Sequence, residues 1–167
     1  MKILIFSAGS EDFHYSVPVT LISETAIRTD GTRLSDGRYK MAEIVKIVVD
    51  AMGGDNAPAE PVKGAVEAVT ERKDIQVILT GQKDVIEKEL SKYPDCPKDR
   101  IRIVHTSQVI ETAEPPVMAI RKKKDSSIVV GLNLVKEQEA DAFVSSGSTG
   151  AVLVGGQVLV GRIKGIL

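Results

Sequence analysis

From Ile44 onward, short apolar runs alternate with amphipathic stretches. Val45 to Asp50 opens the series, and within it Lys46-Ile47-Val48-Val49 reads as a short buried strand. Pro61, Val62, Ala65, Val66 and Val69 then recur at helical spacing in a segment starting at Ala59, with Pro61 suited to a first helical turn. Ile75 to Leu79 reads as a second strand, closed by Thr80-Gly81. Asp84 to Leu90 is helical, with Ile86, Leu90 and Tyr93 on one face, and Pro94-Asp95-Cys96-Pro97 stops it. Ile101 to Val104 is a third strand. Thr106 to Glu114 is a loop that ends at Pro115-Pro116, and a helix over Val117 to Lys123 follows.

Asp125, Ser126 and Ser127 offer caps to a helix spanning Ile128 to Glu139. Its Ile-Val-Val opening is β-branched and also fits a strand, but Ile128, Leu132 and Val135 at helical spacing favour the helix. Ala142 to Ser145 is a fourth short strand, and an apolar helix runs from Thr149 to about Arg162. This alternation predicts a three-layer αβα fold: a mainly parallel sheet with helices on both faces.

Residues 1–42 differ in character and are set apart as an N-terminal extension, with 43–167 as the α/β unit. In the extension, Ile3 to Phe6 and Val17 to Ile22 suit strands. Asp30-Gly31 and Asp36-Gly37 are turn signals of the hairpin kind. The extension is either a small β appendage or partly disordered, and Met41 is placed as a natural start would be.

Bulk properties narrow the function classes. A chain of 167 residues with 43% hydrophobic and 27% charged residues is an ordinary globular domain. A net charge of −1 and 4% aromatics give no drive toward nucleic acid and no stacking platform for it. A single cysteine, Cys96, excludes an internal disulfide and a cysteine-rich metal site, and fits a cytoplasmic setting. The most apolar run, Ala151 to Val160, is broken by Gly155, Gly156 and Gln157 and falls short of the ~20 residues a membrane span needs.

The candidate chemistry lies in two glycine turns. The first, Met52 to Pro58, follows the first strand and contains Gly53, Gly54, Asp55 and Asn56. It is neither a dinucleotide fingerprint nor a phosphate loop of the Gly-Lys-Ser/Thr type. Spacing alone favours a tight strand–helix connection with Asp55 or Asn56 as a cap, although adjacent glycines also permit close ligand approach. The second turn is Ser145-Ser146-Gly147-Ser148-Thr149-Gly150. Here Ser145, Ser148 and Thr149 supply hydroxyls, and Gly147 and Gly150 supply permissive backbone, at a strand end and a helix start that attract an anion. An anion site and a plain Ser/Thr cap both fit it. Arg121-Lys122-Lys123-Lys124 is the one strong charge run, read as a solvated helix end or as a dock for an acidic partner. His105 follows a core strand and could serve as a base, but no Ser or Cys nucleophile motif points to it and a structural role is favoured. Cys96, between two prolines, has no reason to be activated.

Taken in order, these residues resemble the bacterial phosphate acyltransferases of phospholipid synthesis. The resemblance is carried by KIVVDAMGGDNAP at Lys46 to Pro58, Ile78-Leu79-Thr80-Gly81, Val109-Ile110-Glu111 with Glu114-Pro115, Ala119 to Ser127, Asp141 to Ala151, and Gly161 to Ile166. At the second turn, Ser146 and Ser148 stand where the family pattern S-A-G-N-T-G-A has Ala and Asn. The resemblance covers the family's N-terminal half, so the chain is expected to be a truncated form.

The resemblance implies a fold of the isocitrate/isopropylmalate dehydrogenase kind. It also implies transfer of a fatty acyl group from acyl carrier protein to inorganic phosphate, the first step toward phosphatidic acid, with no cofactor and no metal. The implied protein is a cytoplasmic homodimer working at the inner membrane surface. On this reading Ser148, Thr149 and Gly150, with Ser145 and Gly147, hold phosphate. Gly53, Gly54 and Asn56 line the facing wall, and Asp55 fixes the loop. Arg121 to Lys124 meet acyl carrier protein, and no catalytic side chain is assigned. The alternatives are a truncated, non-catalytic anion-binding domain and a dehydrogenase of related fold.

Overall fold

The computed structural model describes residues 29–33, 39–41 and 44–161. Two short strands, β1 (Thr29–Arg33) and β2 (Tyr39–Met41), pair antiparallel with an irregular register. Asp30-Gly31 falls inside β1 and is not a turn. The strands expected at Ile3 to Phe6 and Val17 to Ile22 lie outside the described residues.

The α/β unit follows in the expected rhythm. It runs β3 (Val45–Asp50), α1 (Ala59–Glu71), β4 (Ile75–Gly81), α2 (Lys83–Leu90) and β5 (Ile101–His105), then α3 (Pro116–Lys122), α4 (Ser127–Lys136), β6 (Ala142–Val144) and α5 (Thr149–Gly155). The four strands from β3 on form one parallel sheet in the order β5-β4-β3-β6. Val48 of β3 lies opposite Ile78 of β4 and Phe143 of β6. β4 is buried along almost its whole length, which is why Ile75 to Leu79 reads as a nearly continuous apolar run.

Helices cover both faces. On one, Val62, Ala65, Val66 and Val69 of α1 and Ile86 of α2 pack with Val77 and Leu79. On the other, Ile120 of α3, Leu132 and Val135 of α4 and Val152 of α5 pack with Val48, Ile78 and Phe143. α4 sits very close to the sheet at Gly131, where an added Cβ would stand 2.4 Å from the Phe143 ring. The β-branched start of α4 is helical because Ile128, Val129, Leu132 and Val135 all bury against this sheet face. Tertiary burial outweighs the weaker helix propensity of Ile and Val.

Two helix ends differ from expectation. α4 stops at Lys136, before Glu139, because Gln138 adopts φ 62° and the Glu139 and Ala140 N–H groups both turn back to the Leu134 carbonyl. α5 gives way after Gly155 to a π-helical turn, Gly156–Val160, which closes at Gly161 with φ 95°.

The strand order sets the site. From β3 the chain steps outward through β4 to β5, with α1 and α2 on one face. It then crosses the other face through α3 and α4 and adds β6 on the opposite side of β3. The direction of winding therefore reverses between β3 and β6. In open α/β sheets, that reversal leaves a crevice at the carboxyl ends of the two strands.

Candidate functional site

Both glycine turns leave the sheet at this crevice, one from β3 and one from β6, and they touch. The Ser146 hydroxyl donates to the Gly53 carbonyl at 2.8 Å. A Cβ on Gly53 would lie 2.8 Å from the Gly147 nitrogen and 2.5 Å from Asp50 Oδ2. Gly54 holds φ 92°, and a Cβ there would meet Ser146 Oγ at 2.7 Å. Both positions thus exclude a side chain, and at Gly54 the left-handed backbone excludes one a second time.

Asp50, the last residue of β3, lies beneath the turns and is 1% exposed. Its Oδ1 accepts from the Met52 N–H at 3.1 Å, and its Oδ2 accepts from the Ser145 hydroxyl at 2.7 Å. The Ser127 hydroxyl and the Gly53 N–H also favour its charged form. Burial nevertheless pushes its carboxyl pKa above the ordinary aspartate value, the desolvation outweighing these donors. The loop-fixing carboxylate is therefore Asp50, whereas Asp55 is exposed and its side chain makes no hydrogen bond among the described residues. Strand parity could have found it: Asp50 shares a face with Val48, which is fully buried, and a buried carboxylate requires donors.

This carboxyl makes a pH prediction. A raised native pKa means that the folded chain binds the Asp50 proton more tightly than the unfolded chain does. Its contribution to stability is complete below the ordinary aspartate value of about 3.9 and is lost as pH rises through the raised native value. Asp74, Glu114 and Asp125 have lowered values and act in the opposite sense. A carboxyl-carbon NMR titration should resolve Asp50 as the late-titrating aspartate of the four groups. A midpoint at or below the ordinary value refutes the assignment.

The other predicted site residues fall into two groups. Ser145 is committed inward: it donates to Asp50 and accepts from the Gly147 N–H at 3.0 Å. Ser148 is 3% exposed and is the N-cap of α5, accepting from the Ala151 N–H at 3.3 Å. Gly150 lets α5 approach α3, since a Cβ there would lie 2.6 Å from Pro116 Cγ. Gly54 and Asn56 of the first turn and Thr149 of the second are exposed. Neither Asp55 nor Asn56 caps α1; its N-cap position is Pro58, with no side-chain hydrogen bond.

A neighbouring loop, residues 106–115, is held to the start of α4. Asp125 accepts from the Ser107 N–H at 2.8 Å and the Ser107 hydroxyl at 2.5 Å, which hold its carboxyl below the usual range. Lys123 donates to the Val109 carbonyl at 2.6 Å and to the Glu114 carboxylate. Lys123 thus serves the loop, while Arg121, Lys122 and Lys124 remain exposed. His105 Nδ1 accepts from the Lys83 N–H at 3.2 Å, so this imidazole helps to start α2. Cys96 is buried, and that burial pushes its thiol pKa up, away from reactivity. No group of three or more potential metal ligands occurs among the described residues, and no described helix is long and apolar enough to cross a membrane.

Residues 45–167 match the family model described as fatty acid synthesis protein. The chain is 58% identical over 122 residues to a phosphate acyltransferase of Alkaliphilus oremlandii, covering 73% of this chain and 36% of the relative. It is 57% identical over 122 residues to one of Clostridioides difficile, covering 73% of this chain and 35% of that relative. A phosphate acyltransferase of Halothermothrix orenii is 52% identical over 122 residues, with 73% and 36% covered. The chain thus spans about a third of the length of the curated relatives it matches.

Proposed function

The chain belongs to the fatty acid synthesis protein family, and from this we propose that its two glycine turns form the phosphate side of an acyl-transfer site. The observation that carries the reading is the contact of the two turns at the reversal point of the sheet, through Ser146 and Gly53. The reaction proposed is transfer of a fatty acyl group from acyl carrier protein to inorganic phosphate. The relatives' name, phosphate acyltransferase, supports the acyl transfer, and the carrier protein as donor is what the sequence resemblance implies.

The chemistry asks little of side chains. A phosphate oxygen attacks the thioester carbonyl carbon. A C–O bond forms, the C–S bond breaks, and the carrier leaves as a thiolate. That thiolate is a good leaving group, its thiol having a pKa of about 8.5. The protein must hold the phosphate, align the thioester and stabilise the oxyanion of the tetrahedral intermediate. Thr149, exposed, and Gly150, half-buried, lie at the start of α5 beside the first glycine turn and are suited to phosphate, because the positive end of a helix favours an anion. Ser148, capping α5 from a buried position, sets the direction of the helix's first turn. Gly54 and Asn56 form the facing wall, Gly53 lies buried behind it with its carbonyl held by Ser146, and Ser145 and Gly147 hold the second turn in place. Arg121, Lys122 and Lys124 offer an exposed cationic surface to an acidic carrier protein.

The test is a protein in which this sequence replaces the matching third of a relative. Acyl phosphate made from palmitoyl-acyl carrier protein and phosphate, trapped with hydroxylamine, is the expected result. No product from well-folded protein rejects the transferase reading. In the same assay, Thr149→Val should raise the phosphate concentration for half-saturation by about tenfold, the loss of one hydrogen bond to a charged group. Unchanged phosphate dependence refutes the placement of that site.

A further inference from the structure

We infer that Asp50 is a positioning residue that couples the two glycine turns, so that they orient one anion site as a unit. The inference takes its ligand from the reading above, but the linkage stands on geometry alone.

The links form a closed path around Gly53. Its N–H faces the Asp50 carboxylate, and its carbonyl accepts from Ser146. The same carboxylate receives the Ser145 hydroxyl, and Ser145 in turn accepts from the Gly147 N–H. The direction of the Gly147 N–H in the second turn is therefore set by a residue at the root of the first. Ser127, at the start of α4, donates to the same group and fixes it to the helix layer. Donors from three elements thus converge on Asp50. Only a carboxylate offers two acceptor oxygens to so many donors; an amide offers one and turns an N–H against the rest. Being 1% exposed, Asp50 acts through its partners and does not touch the anion.

The experiment follows backbone amides of the full 167-residue chain by nitrogen–proton NMR, with inorganic phosphate as the probe. Each variant is read in the opposite turn, where a merely local role would change nothing. Asp50→Asn should speed hydrogen exchange at the Gly147 N–H by about tenfold and weaken phosphate binding by a similar factor. Ser145→Ala, which keeps the carboxylate and cuts the relay, should speed exchange at the Met52 N–H and weaken phosphate in the same direction. Exchange in α1, at Val66 and Val69, should stay as in the parent. If Asp50→Asn does not fold, Ser145→Ala decides the matter.

Unchanged exchange in the opposite turn overturns the coupling. A variant that loosens the opposite turn yet binds phosphate within about twofold of the parent overturns its link to the anion site. If the parent itself shows no phosphate shifts at Gly54, Thr149 and Gly150, the functional reading fails, and the exchange data still decide the coupling.

Discussion

Gly53→Ala should abolish phosphate binding and lower the stability of the chain by about 1–3 kcal/mol, the range for overpacking a filled site. The added methyl has nowhere to go. It would stand 2.5 Å from Asp50 Oδ2, 2.8 Å from the Gly147 nitrogen and 3.0 Å from Ser145 Oγ. The first two neighbours belong to the links between the turns, and neither is the loose end of a flexible chain. The strain is relieved only by parting the turns, which strips a buried carboxylate of donors and adds to the loss. Gly64→Ala is the control. A Cβ at Gly64 meets nothing within 4 Å, and the residue lies exposed inside α1. There alanine should stabilise the chain by about 0.5–1 kcal/mol through helix propensity. Urea unfolding measures both, and phosphate titration of the amide spectrum measures binding. Gly53→Ala with normal binding would show that the two turns do not need their close contact.

The largest loss of stability is expected from Phe143→Ala, at about 3–5 kcal/mol. Phe143 is fully buried at the centre of the α3–α4–α5 face, beside Val48 and beneath Gly131. It lies on β6, directly before the second turn, and pairs with Val48 of β3. Emptying the site leaves a cavity under α4 that the surrounding helices cannot close. Domain stabilities are only about 5–15 kcal/mol, so the variant should be marginal at room temperature. The urea midpoint should fall with little change in slope. A loss under about 1 kcal/mol would mean that the ring is not the centre of this layer.

These variants separate two kinds of information. The α/β rhythm was legible along the chain because each element carries its own pattern. Val62, Ala65, Val66 and Val69 mark the buried stripe of α1, and Ile75 to Leu79 marks a strand covered on both faces. The boundaries of α4 and α5 were less legible. Gln138 accepts a left-handed backbone only because the turn into β6 demands it, and the glycines at the end of α5 permit more than one helical pitch. The cap of α4 shows the same division. Asp125, Ser126 and Ser127 all read as capping residues, but only Ser126 caps, accepting from the Val129 N–H. Asp125 holds Ser107, and Ser127 faces Asp50.

The order of residues determined the class of fold, the family and the existence of two glycine turns. Those properties are local: periodicity, turn chemistry and an ordered set of motifs need no knowledge of what lies across the sheet. Tertiary structure decided that the turns from β3 and β6 meet, because strand order depends on which strand edges pair, and nothing in a single segment states it. It also divided the labour among the hydroxyls and carboxylates. Ser145 and Ser148 are drawn inward and Asp50 replaces Asp55, since a buried polar group must find its partners wherever the fold brings them.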